Sequence, residues 1–180
     1  MTFHWFDWCS MKPSSGSVDK PLRLKRDRFR LDEKSPMVQK SLFSSATPEW
    51  ETPRWLFESL DAEFGFTLDP CATDDNAKCA RHFTKSDDGL GQDWQDHIVF
   101  MNPPYGREIR RWMKKAYDSA RNGATVVCLI PARTDTAWWH QYAMKGEIRF
   151  LRGRIQFVGG KHSAPFPSAI AVLRPLGHRI

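Results

Sequence analysis

Long apolar runs are missing from this 180-residue chain. Crossing a bilayer as a helix takes about 18–20 consecutive apolar residues, and no stretch comes near that. The N-terminus sets aromatics and Asp7 where a secretory signal would carry charge and then an apolar core. These two absences lead to the expectation of a cytoplasmic protein that avoids membranes. Cysteine is sparse as well. Cys9, Cys71, Cys79 and Cys128 form no CxxC pair, so Cys71 and Cys79, with His82 nearby, are expected to be reduced structural residues and not zinc ligands. The polar stretch 73–93 holds Asp74, Asp75, Asn76, Asp87 and Asp88. It lacks the alternating ligands and closing Glu of a calcium loop, and no metal is expected. No internal repeat is visible.

What the chain does have is 41% apolar content, enough for one domain with a proper core. Its net charge of +6 is unevenly placed. Residues 1–40 hold nine Lys/Arg against five Asp/Glu, with Arg23, Lys25, Arg26, Arg28 and Arg30 crowded together. A basic chain suits an acidic polymer as partner; a solvated tail would look the same. Residues 1–45 are expected to be a flexible basic leader, and 46–180 the folded domain.

The most informative stretch is Ile98-Val99-Phe100-Met101-Asn102-Pro103-Pro104-Tyr105-Gly106. A short apolar run with a β-branched start predicts a buried strand. Two prolines then force the chain out of the sheet in a rigid loop. Such a loop puts a side-chain amide, imide carbonyls and an aromatic ring at a strand's carboxyl end, where open α/β sheets bind ligands. The chemistry it suits is transfer to an exocyclic amine. Acceptors at Asn102 and Pro103, aimed at both N–H bonds of an adenine amino group, would free the nitrogen lone pair for attack. Tyr105 would stack on the base. A strand-ending Pro-Pro turn with a packed Tyr would carry the same residues, so the remainder of the chain has to decide.

Upstream, Thr52-Pro53 predicts a helix start, Thr at the N-cap and Pro at the first helical position. Leu56, Phe57, Leu60 and Phe64 follow at helical spacing, and Gly65 ends it. Phe66-Thr67-Leu68 predicts a short strand running into Asp69-Pro70, where Asp69 either reaches a cationic ligand group or caps the next turn. Asp93, just before the central strand, is a candidate ligand contact, and Trp94 is either that or core. Downstream, an amphipathic helix is predicted over about 107–121. Its apolar face is Ile109, Trp112, Met113, Ala116 and Ala120. Its other face carries Arg107, Arg110, Arg111, Lys114 and Lys115, suited to phosphates or simply to water. Residues 124–130 predict a buried parallel strand ended by Pro131, and Arg133 to Thr136 open a helix containing His140. Strands over 148–151, 154–158 and 168–173 follow with no helix between them, an antiparallel edge on an otherwise parallel sheet.

Asn-Pro-Pro-Tyr at a strand end, after Asp-Pro and Thr-Pro segments, resembles the amino-methyltransferases that use S-adenosylmethionine. More closely, Glu49-Trp50-Glu51-Thr52-Pro53, Phe64 to Asp69, Asn76 to Cys79, Asp88-Gly89-Leu90, Ile130 to Thr136 and Gly153-Arg154-Ile155 are similar to the phage-type DNA N6-adenine methyltransferase (Dam) family over roughly 43–175. That resemblance implies an α/β, Rossmann-like methyltransferase sheet, mostly parallel with an antiparallel C-terminal hairpin. It implies cofactor contacts at Thr52, Pro53, Asp69, Pro70, Asp93 and Asn102, and a flipped adenine held by Asn102, Pro103, Pro104 and Tyr105. Methyl transfer in line, without metal or covalent enzyme intermediate, is implied too. Double-stranded DNA would lie on Arg107, Arg111, Lys114, Lys115 and Arg133, with the chain acting as a monomer. Two departures stand out. Cys71-Ala72-Thr73 replaces the usual Gly-rich turn, and only 32 residues separate Asp69 from Asn102, so the sheet is expected to be shortened between its first and central strands. With that loss the acidic residue for the ribose is open between Asp87 and Asp88. No room remains for a separate recognition domain, which leaves sequence reading to loops within 133–168 or to the leader. Two other readings fit the same pocket residues: methylation of RNA bases or a protein glutamine amide, and a non-catalytic phage protein that binds DNA.

Overall fold

Strand β1 (Ile98–Met101) is the apolar run before the two prolines, and its last three side chains are buried. The computed structural model describes residues 50–160, 162–175 and 177; the basic leader expected over 1–45 lies outside them. β1 pairs in parallel with β2 (Thr125–Pro131), Val99 opposite Val126 and Met101 opposite Cys128. β2 then pairs antiparallel with β4 (Ser168–Leu173), and β4 antiparallel with β3 (Glu147–Phe150). The four strands lie in the order β1-β2-β4-β3. β2 and β4 are buried along almost their whole length, as central strands of a covered sheet should be.

Three expectations need correction. The sheet is not mostly parallel: one of its three strand pairings is parallel and two are antiparallel. On the free side of β1 the parallel part shrinks to single bridges, Leu68 to Val99 and Asp69 to His82, so the strand expected at 66–68 is one bridge long. A parallel pair needs a crossover long enough for a helix. Between Phe64 and Ile98 there is no helix or named strand among the described residues, which is the shortening expected between the first and central strands. Third, 154–158 is not a sheet strand. Gly153 at φ +81 turns the chain off the line of β3, and the segment touches strand geometry only through a Glu51–Val158 bridge.

Helix α1 (Arg54–Phe64) begins one residue later than expected. Pro53, extended at φ −62 and ψ 141, is its N-cap, and no side chain caps it. Thr52 is therefore not the cap, and its hydroxyl has another partner. Gly65 closes the helix at φ 68 with its N–H on the Asp61 carbonyl, the left-handed geometry that glycine favours. Leu56 and Leu60 are buried, while Phe57 meets Phe66 and Phe100 at ring distances of 5.6 and 5.2 Å. α2 (Ile109–Arg121) buries Ile109, Met113, Ala116 and Ala120. Full burial of each large side chain contributes about 1.5–3 kcal/mol. The short α3 (Ala137–Gln141) buries Trp138 and Trp139.

The exposed edge strand β3 is fastened to α1 by charge. Arg149 makes a two-bonded contact to Glu63 at 2.6 and 2.7 Å and bonds Glu147 at 2.6 Å. Its hydrogen bonds hold the Glu63 and Glu147 carboxyls below their ordinary range. Because those pKa values are depressed, their contribution is present above the ordinary carboxylate value of 4.5 and is lost as pH falls through the folded values. Arg149→Ala should lower stability by about 1 kcal/mol at pH 7, half-exposed pairs being screened. Thermal melting of both proteins should show that difference shrinking as pH drops below the carboxylate range; a constant difference down to pH 3 would refute the assignment.

Candidate active site

Asn102 leaves β1 at its carboxyl end, and its side chain is held from a distant part of the chain. Nδ2 donates to the Trp50 carbonyl and, at 3.0 Å, to the Thr52 hydroxyl. A carbonyl only accepts, so the amide must present its NH₂ to Trp50. That fixes Oδ1 on the other side. Oδ1 is buried and has no hydrogen-bond partner among the described residues. Leaving a buried acceptor unpaired costs about 1–3 kcal/mol, and such orphans in folded proteins call for an explanation. The Pro103 carbonyl likewise accepts no backbone N–H among the described residues. Two oxygens of one rigid turn thus stand without donors.

Tyr105 takes a different part from the one expected. Its ring is 7% exposed, its hydroxyl donates to the Leu129 carbonyl at 3.1 Å, and it lies edge-on to Phe166 at 5.5 Å and Phe157 at 6.1 Å. Burial pushes the phenol well above its usual range, so it stays neutral. The ring anchors the loop; to stack on a base it would have to exchange its contacts with the two phenylalanines. Pro103 is buried, and Asn102 and Pro104 are the half-exposed members of the turn.

Asp69 is 5% exposed and accepts the N–H of Cys71 at 3.4 Å and of Lys78 at 3.1 Å. Burial raises its carboxyl above the ordinary value, against the pull of those two N–H groups. It serves as the cap of the 70–78 loop, one of its two expected roles, and Pro70 begins that loop. Two open surface cavities of about 530 Å³ each border the loop. Thr52, Glu51, Phe57, Asp61 and Lys78 line one of them, next to Asn102 through Thr52. Thr73, Asp74, Thr84, Lys85 and Ser86 line the other, where the chain follows the Asp69 and His82 bridges. Pro53 is buried at the start of α1.

Asp93 is not brought to either cavity; it is exposed and accepts the Gln95 N–H at 2.9 Å. Trp94 is core, its Nε1 donating to the Gly89 carbonyl. Asp87 is occupied by the Thr84 N–H and hydroxyl, at 2.8 and 2.6 Å. His82 pairs with Asp74 at 3.2 Å, a bond that raises its pKa, and His140 with the Thr134 carbonyl at 2.8 Å. Of the cations expected on DNA, Arg111 is paired with Glu108 and Lys114 with Asp118, while Lys115 lies over the Trp94 ring at 5.5 Å. Arg107 and Arg133 are exposed and have no carboxylate partner among the described residues.

Sequence reasoning missed the roles of Trp50, Phe157 and Phe166. Trp50 supplies the carbonyl that turns the Asn102 amide, and its ring meets Phe157 at 5.1 Å and Phe166 at 5.4 Å. The alternation Ile155, Phe157 between polar residues was the available signal, and it marked a buried face without saying against what.

Comparison with known proteins identifies the family of the chain. The family profile described as DNA N-6-adenine-methyltransferase (Dam) matches residues 40–172. The chain is 28% identical over 116 residues to the DNA N-6-adenine-methyltransferase of Haemophilus phage HP1, an alignment covering 62% of this chain and 67% of that protein. It is 30% identical over 153 residues to the DNA N-6-adenine-methyltransferase of Escherichia phage T1, covering 71% and 63%. The chain thus spans about two thirds of the length of these relatives. With a family match over most of its length, the chain belongs to the DNA N-6-adenine-methyltransferase (Dam) family, a family of adenine-specific DNA methyltransferases.

Proposed function

We propose that the protein transfers a methyl group from S-adenosylmethionine to the N6 amino group of adenine in DNA, with the base flipped against the Asn102-Pro103-Pro104-Tyr105 turn. The observation that carries this is the orphaned, buried Asn102 Oδ1, locked in direction by Trp50 and Thr52. An adenine amino group would give that oxygen one N–H and the Pro103 carbonyl the other. With both N–H bonds claimed, the nitrogen pyramidalises and its lone pair points away from the turn. The two acceptors stabilise the positive charge that grows on nitrogen as it attacks. Extruding the base costs a few kcal/mol, which contacts to the turn must offset.

The residues present fit the donor. The cavity beside Thr52 is bordered by Glu51, Glu58 and Asp61 together with Arg54 and Lys78. Lys78 pairs with Glu51 and Arg54 with Glu58, which leaves Asp61 as the carboxylate for a cationic ligand. Hydroxyls of Thr73, Thr84 and Ser86 border the other cavity and suit a ribose. When bound, S-adenosylmethionine supplies an electrophilic methyl on sulfonium, the N–C bond forming as the S–C bond breaks with its electron pair left on sulfur. The methylated nitrogen then loses a proton to solvent. On this reading residues 46–180 are the catalytic domain, built on a reduced Rossmann-like methyltransferase sheet.

The test is product identification. Methyl-labelled S-adenosylmethionine, with unmethylated duplex DNA, RNA and protein extract in separate reactions, should label N6-methyladenine in DNA. Label only in RNA or protein would move the acceptor, and no label with DNA bound would leave a binding protein. For the duplex itself, Arg107→Ala with Arg133→Ala should lower the salt slope of DNA binding by about 2, near one per phosphate contact. Lys114→Ala should change it much less, because Asp118 already faces that charge. Equal effects of both would reject this placement of the duplex.

A further inference from the structure

The segment 152–157, called on by none of the chemistry above, is built as a strap across the candidate site. Ile155 and Phe157 are buried, and Phe157 sits against Tyr105 at 6.1 Å and Trp50 at 5.1 Å. The backbone is tied at both flanks, Val158 N–H to the Glu51 carbonyl at 3.0 Å and Ala164 N–H to the Ile155 carbonyl at 2.7 Å. With the alternate residues fixed inward, Arg154 and Gln156 are exposed, as is Arg152 before the Gly153 turn. These three have no side-chain hydrogen bond or carboxylate partner among the described residues. By contrast Arg54, Arg111, Lys114, Arg149 and Arg174 are each held by a Glu or Asp. No Asp or Glu occurs anywhere in 148–180, which carries six Lys/Arg. The stretch 73–96, by contrast, holds six Asp against three Lys/Arg. A polyanion approaching the Asn102 turn is therefore drawn to the strap in preference to that stretch.

We infer that this strap is the sequence-reading element of the protein, Arg154 and Gln156 contacting base edges next to the extruded adenine and Arg152 a phosphate. The inference rests on the DNA-methylation reading and deepens it. An extended chain advances about 3.3 Å per residue, so Arg154 lies about 10 Å along the strap from Phe157 at the pocket wall. Stacked bases advance about 3.4 Å, which puts both side chains within about three base pairs of the target. Arginine matches guanine O6 and N7, and glutamine matches adenine N6 and N7. The anchored aromatic side holds both at fixed depth, as direct readout requires.

The experiment uses duplexes with randomised positions around adenine, methylated by the full chain and sequenced for N6-methyladenine. Wild type should show flanking preferences. R154A should relax the preference for guanine at one position by about 10–100-fold, and Q156A that for adenine at another. Q156E should redirect the second position toward cytosine, whose amino group a carboxylate accepts. Melting temperature and S-adenosylmethionine affinity should be unchanged in all three, since these side chains are exposed. Unaltered preferences in the variants, or a uniform fall across all sequences, would overturn the strap as reader while leaving methylation intact. A wild type without flanking preference would overturn it in the same way. A wild type that makes no N6-methyladenine would overturn the parent reading and the inference with it.

Discussion

Asn102→Ala should abolish measurable methyl transfer, a loss of at least about 10²–10³-fold in kcat by analogy with removing one preorganised group from a charge-stabilising site. The oxygen acts on charge that exists only as the N–C bond forms, so the loss belongs in kcat and not in binding. S-adenosylmethionine affinity, measured by calorimetry, should stay within about twofold. The substitution also removes the two N–H donors held by Trp50 and Thr52, and the freed Trp50 carbonyl costs about 1–3 kcal/mol if it stays dry. A modest drop in melting temperature is therefore part of the expected result. Thr52→Val tests the same geometry more gently. It keeps the oxygen but loosens its aim, and kcat should fall by about tenfold. Because Thr52 also lines the cavity assigned to the donor, donor affinity is measured alongside, and a loss confined to donor binding would remove the aiming role. Retained turnover in the alanine variant would remove Asn102 from the chemistry.

Gly89→Ala should be strongly destabilising, although Gly89 has no side chain to take part in the chemistry. A Cβ at Gly89 would stand 2.0 Å from the Pro70 carbonyl oxygen and 3.1 Å from its carbon. Both are backbone atoms and cannot rotate away. Pro70 cannot retreat either, because Asp69 beside it is tied by its N–H to Arg81 and by its carbonyl to Phe83. The other side of Gly89 is fixed by Trp94 Nε1 on its carbonyl at 2.9 Å. Overpacking of this kind costs about 3 kcal/mol, or about 6–12 °C in a domain of this size. Gly106→Ala is the control: a methyl group at that position would meet no atom within 4 Å, and the melting temperature should be unchanged. Equal behaviour of the two variants would show that the Asp-Pro loop and the 88–90 turn are not packed as described.

The site and its surroundings show what can be read from a sequence and what cannot. Local signals fixed most elements: the apolar run before the prolines is β1, Gly65 ends α1 with positive φ, and the apolar stripe of α2 is the buried one. The place of Asn102 was legible because its neighbours dictate a rigid turn at a strand end. Its holders were not, since Trp50 and Thr52 lie about fifty residues away and long-range pairing leaves no local trace. The Thr-Pro pair suggested an N-cap for that reason, although the hydroxyl is spent on Asn102. Tyr105 carried the opposite ambiguity: an aromatic after two prolines suits a base or a core equally, and only Phe157 and Phe166 decide for the core here. The alternation in 154–158 matched a strand because burial on one side gives period two whether or not a ladder exists. Asp93, just before β1, is exposed and lines neither cavity.

The claim on which the rest depends is that Asn102 Oδ1 and the Pro103 carbonyl receive the amino hydrogens of an extruded adenine. A crystal structure of the protein with duplex DNA and an unreactive analogue of the methyl donor addresses it most directly. The expected result is adenine N6 within about 2.7–3.2 Å of both oxygens, with the Asn102 amide still on Trp50 and Thr52. A base stacked in the duplex, or bound elsewhere with Oδ1 turned to a protein donor, would contradict it.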